Sequence, residues 1–406
     1  MTSARAYFDW NATAPLRAQA RDAMLDALGP AGNASSVHAE GRAARALVEQ
    51  ARRDVAELVG AEPAQVVFTS GATEANMLAL TPAIEADGRR LIGDVLLVST
   101  IEHPSVRAGG RFQVVEELPV TGDGVVDLQK LEQRLAQAER PLVSVMLANN
   151  ETGVIQPLRE VARLVHAAGA LLHVDAAQAP GRIECDINTL GADLLTISGH
   201  KFGGPQGAGA LIRRTDIHVA DQLLKGGGQE RGQRAGTEAV AAIAGFGAAA
   251  RAARRGRDSE AKHMESLRHR LEGGLIERTP NAIIFGRSAQ RLPNTTLVAL
   301  PDLKAETAII AFDLNGIAVS SGSACSSGKV QPSHVLMAMG HTPYAKSAIR
   351  LSLGCETTEN DVEKLLNAWL KVTSPLSKSG SKNPDIGSRN AEQPLRSADV
   401  AASAAR

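Results

Sequence analysis

Ala192-Asp193-Leu194-Leu195-Thr196-Ile197-Ser198-Gly199-His200-Lys201 decides the fold: a short apolar run gives way to small and polar residues and ends on a histidine and a lysine. Such a run is a strand. Its exit delivers Lys201 to the carboxyl edge of a sheet, where open α/β folds collect ligands. A desolvated lysine amine at that edge can lose its proton and condense with a carbonyl compound. A single lysine is ordinarily a solvated surface charge, so the weight of the reading comes from the segments around it.

Four further apolar runs end in chemistry-bearing residues. The strand Gln65–Phe68 leads into Thr69-Ser70-Gly71-Ala72-Thr73-Glu74, which opens a helix. Small residues there let backbone N–H groups approach an anion, and a helix start favours negative charge. The run Val95–Thr100 precedes Glu102-His103-Pro104, and a histidine at a strand end can stack on an aromatic cofactor and move protons near neutral pH. The run Leu142–Ala148 leads into Asn149-Asn150-Glu151, with Asn150 placed to meet a substrate or a ring oxygen. Ala170-Leu171-Leu172 leads into His173-Val174-Asp175-Ala176-Ala177-Gln178. An aspartate there can pair with a protonated pyridine nitrogen and keep the ring an electron sink, with Gln178 donating to its phenolic oxygen. Each motif alone is also a plain cap or turn. All five at strand ends together point to a pyridoxal phosphate site.

A second chemical centre lies in Ser320-Ser321-Gly322-Ser323-Ala324-Cys325-Ser326-Ser327-Gly328. A loop of serine and glycine buries little apolar surface, so the segment is expected to move, and an exposed thiol in it can act as a nucleophile once ionised. Cys185 and Cys355 lie in ordinary sequence and read as small buried hydrophobes. The three cysteines form neither a zinc pattern nor a disulfide framework. Arg350 alternates with apolar neighbours in Ala348–Leu353, as on a half-buried strand, and suits bidentate capture of a carboxylate.

These motifs, with Tyr7–Thr13, Arg231–Thr237 and Ser321–Cys325, occur in the order of one family. From about residue 6 to about 372 the chain resembles the cysteine desulfurases of the NifS/IscS type, group I, within the class V aminotransferases. The resemblance implies a PLP fold type I architecture: a mostly parallel seven-stranded sheet domain with a smaller α+β domain. It implies that Lys201 holds pyridoxal 5'-phosphate covalently, that Asp175 faces its nitrogen and that His103 stacks on its ring. Ala72, Thr73, Ser198 and His200 then hold the phosphate, with Thr237 reaching in from the other subunit of a homodimer. Asn150 and Gln178 contact the ring oxygen, and Arg350 with Asn33 binds the carboxylate of L-cysteine. Cys325 takes the sulfur as a persulfide, passes it to an acceptor such as an iron–sulfur scaffold, and serves as a transient cluster ligand shared with that scaffold. A selenocysteine lyase or a small-amino-acid aminotransferase of the same cofactor class is the alternative, and transamination has no use for Cys325. The chain departs from the family at Gln229, where a histidine is usual, at Ala14, where a threonine is usual, and after Trp369, where it lacks the scaffold-docking ending of housekeeping members.

Composition sets the frame. Among 406 residues, 44 basic side chains balance 44 acidic ones, so no basic field calls for nucleic acid. No apolar run approaches the roughly 18 residues that span a bilayer, and Met1–Arg5 carries no apolar stretch, so a cytoplasmic enzyme is expected. Alternating strands and helices from Val66 to about Ile212 argue for a parallel sheet. The expected organisation is a large cofactor domain over residues 16–257 and a small domain from 1–15 and 258–373. The basic stretch Arg251–Arg257 serves as the hinge between them, and 374–406 is a disordered tail.

Overall fold

The structure, a computed structural model, describes residues 5–322 and 331–379. Its centre is a sheet of seven strands: β1 (Val66–Thr69), β2 (Val95–Ser99), β3 (Val114–Leu118), β4 (Leu142–Ser144), β5 (Leu171–Asp175), β6 (Leu194–Ser198) and β7 (Gly209–Arg213). In space the order is β1-β7-β6-β5-β4-β2-β3, and β7 alone runs antiparallel to its neighbours. Strands β5 and β6 are buried at every residue, which is why their sequences are near-continuous apolar runs without alternation. The strand expected over Leu142–Ala148 stops at Ser144. Beyond it Val145 and Leu147 still donate to His173 and Asp175 of β5, but β2 has ended at Ser99 and the Met146 amide goes instead to the Glu102 side chain.

Helices α1 (Ala18–Leu28), α2 (Ala39–Leu58) and α5 (Val240–Arg278) pack together on one face; α3 (Ala72–Ala79) and the short α4 (Pro104–Arg107) leave strand ends. Helix α5, which contains the stretch Arg251–Arg257 expected as a hinge helix, runs unbroken for 39 residues, about 58 Å at 1.5 Å per residue. Ile243, Phe246, Ala249 and Ala253 on its first half belong to the core under the large sheet, and Leu267, Leu271 and Leu275 on its second half belong to a separate core.

That second core lies on a four-stranded antiparallel sheet of β8 (Ile283–Ile284), β9 (Thr295–Ala299), β10 (Ser320–Ser321) and β11 (Ala348–Ser352), in the order β8-β9-β11-β10. The N-terminal segment joins it: Ala6 and Tyr7 pair in parallel with Ile317 and Ala318, and Asp9 bridges to Ser352. Helix α6 (Glu359–Ser379) closes this part of the chain with Trp369 fully buried against Phe312. It extends to Ser379, so the first residues of the expected tail are helical; positions 380–406 lie outside the described residues. Among the described residues no helix is long and apolar enough to cross a membrane.

Candidate active site

The carboxyl ends of the central strands open into a cavity of about 590 Å³, lined among others by Thr73, His103, Asn150, Asp175, Lys201 and Arg350. Ala72, Gln178, Ser198 and His200 also line it. The five strand exits read from the sequence therefore converge on one space.

One end suits an anion. The first three amides of α3, those of Ala72, Thr73 and Glu74, have no intrahelical carbonyl to meet. Opposite them stand Ser198, the last residue of β6, and His200 in the one-turn 3-10 segment Gly199–Lys201. Burial, aided by the charge of Lys201, lowers the His200 imidazole to about 4, so it is neutral at pH 7, with Nδ1 3.2 Å from Thr13 Oγ1. Glu74 turns away from this end, accepting from the Ser70 amide at 2.8 Å and from Arg234 Nε at 2.8 Å. The approach of β7 is possible only without a side chain at Gly209, whose Cβ would meet Gly71 Cα at 2.6 Å.

At the middle, the Asp175 carboxylate accepts from the Ala177 amide at 2.9 Å and from Asn76 Nδ2 at 2.8 Å. Lys201 Nζ donates to the carbonyls of Asn11 at 2.7 Å and Ala12 at 2.9 Å. The backbone of Lys201 is held in turn by Arg182, whose Nη2 meets the Lys201 carbonyl at 3.2 Å. His103 is the N-cap of α4: its Nδ1 accepts from the Ser105 amide at 3.2 Å and lies 2.8 Å from Ser105 Oγ. A nitrogen that accepts cannot carry the ring proton, so the neutral imidazole has its hydrogen on Nε2. Gln178 is already engaged, with Nε2 donating to Asn11 O at 3.0 Å and Oε1 accepting from Arg182.

The far end is set by Arg350, which was expected half-buried and is 1 % exposed, because β11 lies between β9 and β10 with every residue covered. Arg350 Nη2 donates to Asp9 Oδ1 at 2.8 Å and Nη1 to the Asn150 carbonyl at 3.1 Å. The side-chain amide of Asn150 is thereby left to the cavity, its carbonyl taking Asn11 Nδ2 at 3.2 Å. Next to it Glu151 is buried and accepts from Ser333 Oγ at 2.5 Å; burial pushes its carboxyl above the ordinary range, against the pull of Ser333 and the Arg350 charge.

Two expected residues stand elsewhere, and a third lies outside the described residues. Asn33 is exposed outside the cavity lining, with Oδ1 accepting from the Ser35 amide at 2.8 Å. Thr237 is exposed on the chain surface, apart from the cavity lining. Cys325, with its expected sulfur and cluster roles, lies outside the described residues, among which no metal-binding cluster of histidine, cysteine and acidic side chains occurs. Cys185 is buried, its thiol pushed up to about 12 chiefly by burial, which leaves it inert at neutral pH; Cys355 is half-buried.

The sequence reading missed Asn11, Asn76, Arg182 and Glu102. Glu102 is fully buried behind His103; its Oε1 accepts from Ser99 Oγ and from the Met146 amide, both at 2.6 Å, while Oε2 meets no partner among the described residues. Burial drives its carboxyl up to about 8, with the Asp175 charge adding to the rise and the two hydrogen bonds opposing it. The fixed dipeptide Glu102-His103 was visible in the sequence, but nothing in it marks the carboxyl as buried.

An anion cradle, a carboxylate, an imidazole and an amine in one cavity fit pyridoxal phosphate. Over residues 6–365 the chain matches the family described as Aminotransferase class-V, and it belongs to that family. Within it, the chain is of the NifS/IscS cysteine desulfurase type. It is 42 % identical to a cysteine desulfurase of Cereibacter sphaeroides, covering 92 % of this chain and 96 % of the relative. It is 40 % identical to cysteine desulfurase IscS 1 of Archaeoglobus fulgidus over 91 % and 99 % of the two chains. Among solved structures, a NifS-like protein from Rickettsia africae superposes with a TM-score of 0.83 at 36 % identity, covering 91 % of this chain and 99 % of the other. The structure titled SspA in complex with cysteine gives 0.71 at 29 % identity, over 87 % and 100 %.

Proposed function

We propose that this pyridoxal-phosphate-dependent enzyme removes sulfur from L-cysteine, leaving L-alanine, with Lys201 and Cys325 as its two reacting groups. The observation that carries the reading is the convergence of Lys201, Asp175 and His103 with the buried Arg350 in one cavity. A relative solved with cysteine bound supports the substrate.

Bound pyridoxal phosphate supplies an aldehyde for the amines and an electron-accepting ring. The α3 amides, Ser198 and neutral His200 anchor its phosphate, Thr237 of the partner subunit completing the anchor in a homodimer. Asp175 faces the ring nitrogen, its carboxylate oriented by the bonds from Asn76 and Ala177. Gln178 and Asn150 face the ring oxygen. Arg350 holds the substrate carboxylate at the buried end of the cavity. Lys201 would hold the cofactor's aldehyde and, once free, take up the substrate α-proton at Nζ, steered by the carbonyls of Asn11 and Ala12. Cys325 thiolate bonds to the substrate sulfur as the carbon–sulfur bond breaks. The sulfur would stay on Cys325 as a persulfide, and the three-carbon remainder would gain a proton at Cβ through His103 Nε2, regain one at Cα from Lys201 Nζ, and leave as alanine. The ladder supports this placement of Cys325: Ser320 lies opposite Arg350, so the chain enters the thiol-bearing segment beside the cavity. The persulfide then passes to an acceptor protein in the cytoplasm, such as an iron–sulfur scaffold.

Incubation with L-cysteine, measuring alanine and persulfide together, tests the function; alanine without persulfide, or neither, refutes it. Lys201→Ala should abolish covalent cofactor attachment, read by borohydride reduction and peptide mass mapping, and a label on another side chain refutes its role. Cys325→Ala should keep the yellow cofactor absorbance and lose persulfide formation, and full sulfide release by that variant removes Cys325 from the mechanism.

A further inference from the structure

One buried amide joins the two groups placed above on the ring's nitrogen and on its face. Asn76 sits on the second turn of α3, is fully buried, and uses both hydrogens of its Nδ2: one to Asp175 Oδ2 at 2.8 Å, the other to Ser105 Oγ at 3.0 Å. Its orientation is fixed by chemistry. A carboxylate oxygen only accepts, so the flipped amide would set Oδ1 against Asp175 and break that bond. Oδ1 meets no partner among the described residues, so the hydrogen bonds of this side chain are those of its NH2 group. Ser105 Oγ, having accepted from Asn76, directs its own hydrogen to His103 Nδ1 at 2.8 Å. The links run from β5 through α3 to α4 and span sequence separations of 99 and 29 residues.

We propose that Asn76 and Ser105 are positioning residues that bind Asp175 and His103 into one hydrogen-bonded chain, with every donor pointing outward from Asn76 and the His103 proton fixed on Nε2, toward the cavity. The proposal rests on the roles given above to Asp175 and His103. The chain has a direction: Asn76 donates outward in both senses, to the carboxylate on one side and through the serine to the imidazole on the other. His103 therefore keeps the tautomer able to hand over a proton, and its ring cannot rotate without breaking the bond that also reaches Asp175.

A bare N-cap would need only the Ser105 amide, so the test must read the tautomer. Protein labelled with ¹⁵N at histidine, assigned with His103→Gln, is examined by long-range ¹H–¹⁵N correlation in cofactor-free and pyridoxal-phosphate-loaded forms. The wild type should show protonated Nε2 and bare Nδ1 at His103 in both forms. Ser105→Ala and Asn76→Leu should each give a mixture of tautomers and lower kcat about tenfold, part of the contribution of a proton-transfer group, with KM for L-cysteine within about twofold. Ser105→Thr, which keeps the hydroxyl, should restore both. A wild-type Nδ1–H tautomer overturns the proposal without any variant, and so does an unchanged tautomer in well-folded Ser105→Ala. Full turnover by His103→Gln would instead remove His103 from proton handling, leaving the tautomer result to decide the chain.

Discussion

Two of the arginines buried among the described residues, Arg52 and Arg350, are held differently. Arg52, on α2 behind the large sheet, meets Glu230 fork to fork at 2.7 and 2.8 Å, donates to the Val66 carbonyl at 2.9 Å and to Glu49 at 3.2 Å, and lies 4.7 Å over the Phe68 ring. Burial is the largest influence on its guanidinium and works against the charge, but the bond and charge of Glu230 outweigh it and hold the pKa above the ordinary value. Arg350, at the cavity, has one bond to a carboxylate and one to a carbonyl, and its buried Nε meets nothing among the described residues. The first is saturated and can only hold strands and helices together. The second keeps donors in reserve at a cost to stability, which is what a carboxylate-binding group requires.

The largest effect should come from Arg52→Leu. Removing one partner of a buried pair strands Glu230, and denaturant unfolding should show a loss of about 3–5 kcal/mol. The kinetic constants of the folded fraction should stay unchanged. If Arg52→Leu altered KM for L-cysteine as strongly as it altered stability, the contrast between the two sites would be false. Arg350→Leu should act on the other axis, lowering kcat/KM about 10- to 100-fold, the worth of roughly 1.5–3 kcal/mol for hydrogen bonds to a charged group. Normal kcat/KM in that variant would strike Arg350 from the substrate site.

The carboxylates repeat the contrast, since Glu230 faces a guanidinium and Glu102 faces none. Raised to about 8, Glu102 binds a proton in the folded state that the unfolded chain has released above its ordinary pKa of 4.5. Folded protein therefore holds more protons than unfolded protein between those values, and stability must fall as pH rises through that window. Buried His173 and His200, each lowered to about 4 mainly by burial, act oppositely but only below about 6.5. Between pH 6.5 and 8 Glu102 stands clear of them, with a slope of at most about 1.4 kcal/mol per pH unit. Glu102→Gln should flatten that slope in thermal unfolding, and an unchanged slope would show that the carboxyl ionises freely.

Much of the site was legible because strands are short and their exits are written in small and polar residues. Lys201, Asp175, His103 and Thr73 follow apolar runs directly, so their convergence could be read from sequence order alone. Arg350 was read as suited to a carboxylate and taken as half-buried, because an alternating pattern does not reveal that strands lie on both sides of it. Asn11 and Asn76 were missed for a different reason. They act across separations of 190 and 99 residues, through a backbone carbonyl and a side chain in an ordinary helical run, and no local pattern announces such partners. Arg251–Arg257 was read as a helix between two parts of the chain, but not as the middle of a single α5 of 39 residues whose two halves join different cores.

The strand-like opening residues of the chain have a consequence for how the enzyme comes into being. Asp9 finds Arg350 across 341 residues, and Asn11 and Ala12 supply the carbonyls that meet Lys201. A ribosome adding roughly 5–20 residues per second needs about 20–70 s to make that stretch. Through that interval the earliest part of the polypeptide has no final resting place. Catalytic competence is thus among the last properties a newborn copy acquires, and a fusion partner grafted onto the amino end would burden the step that completes it.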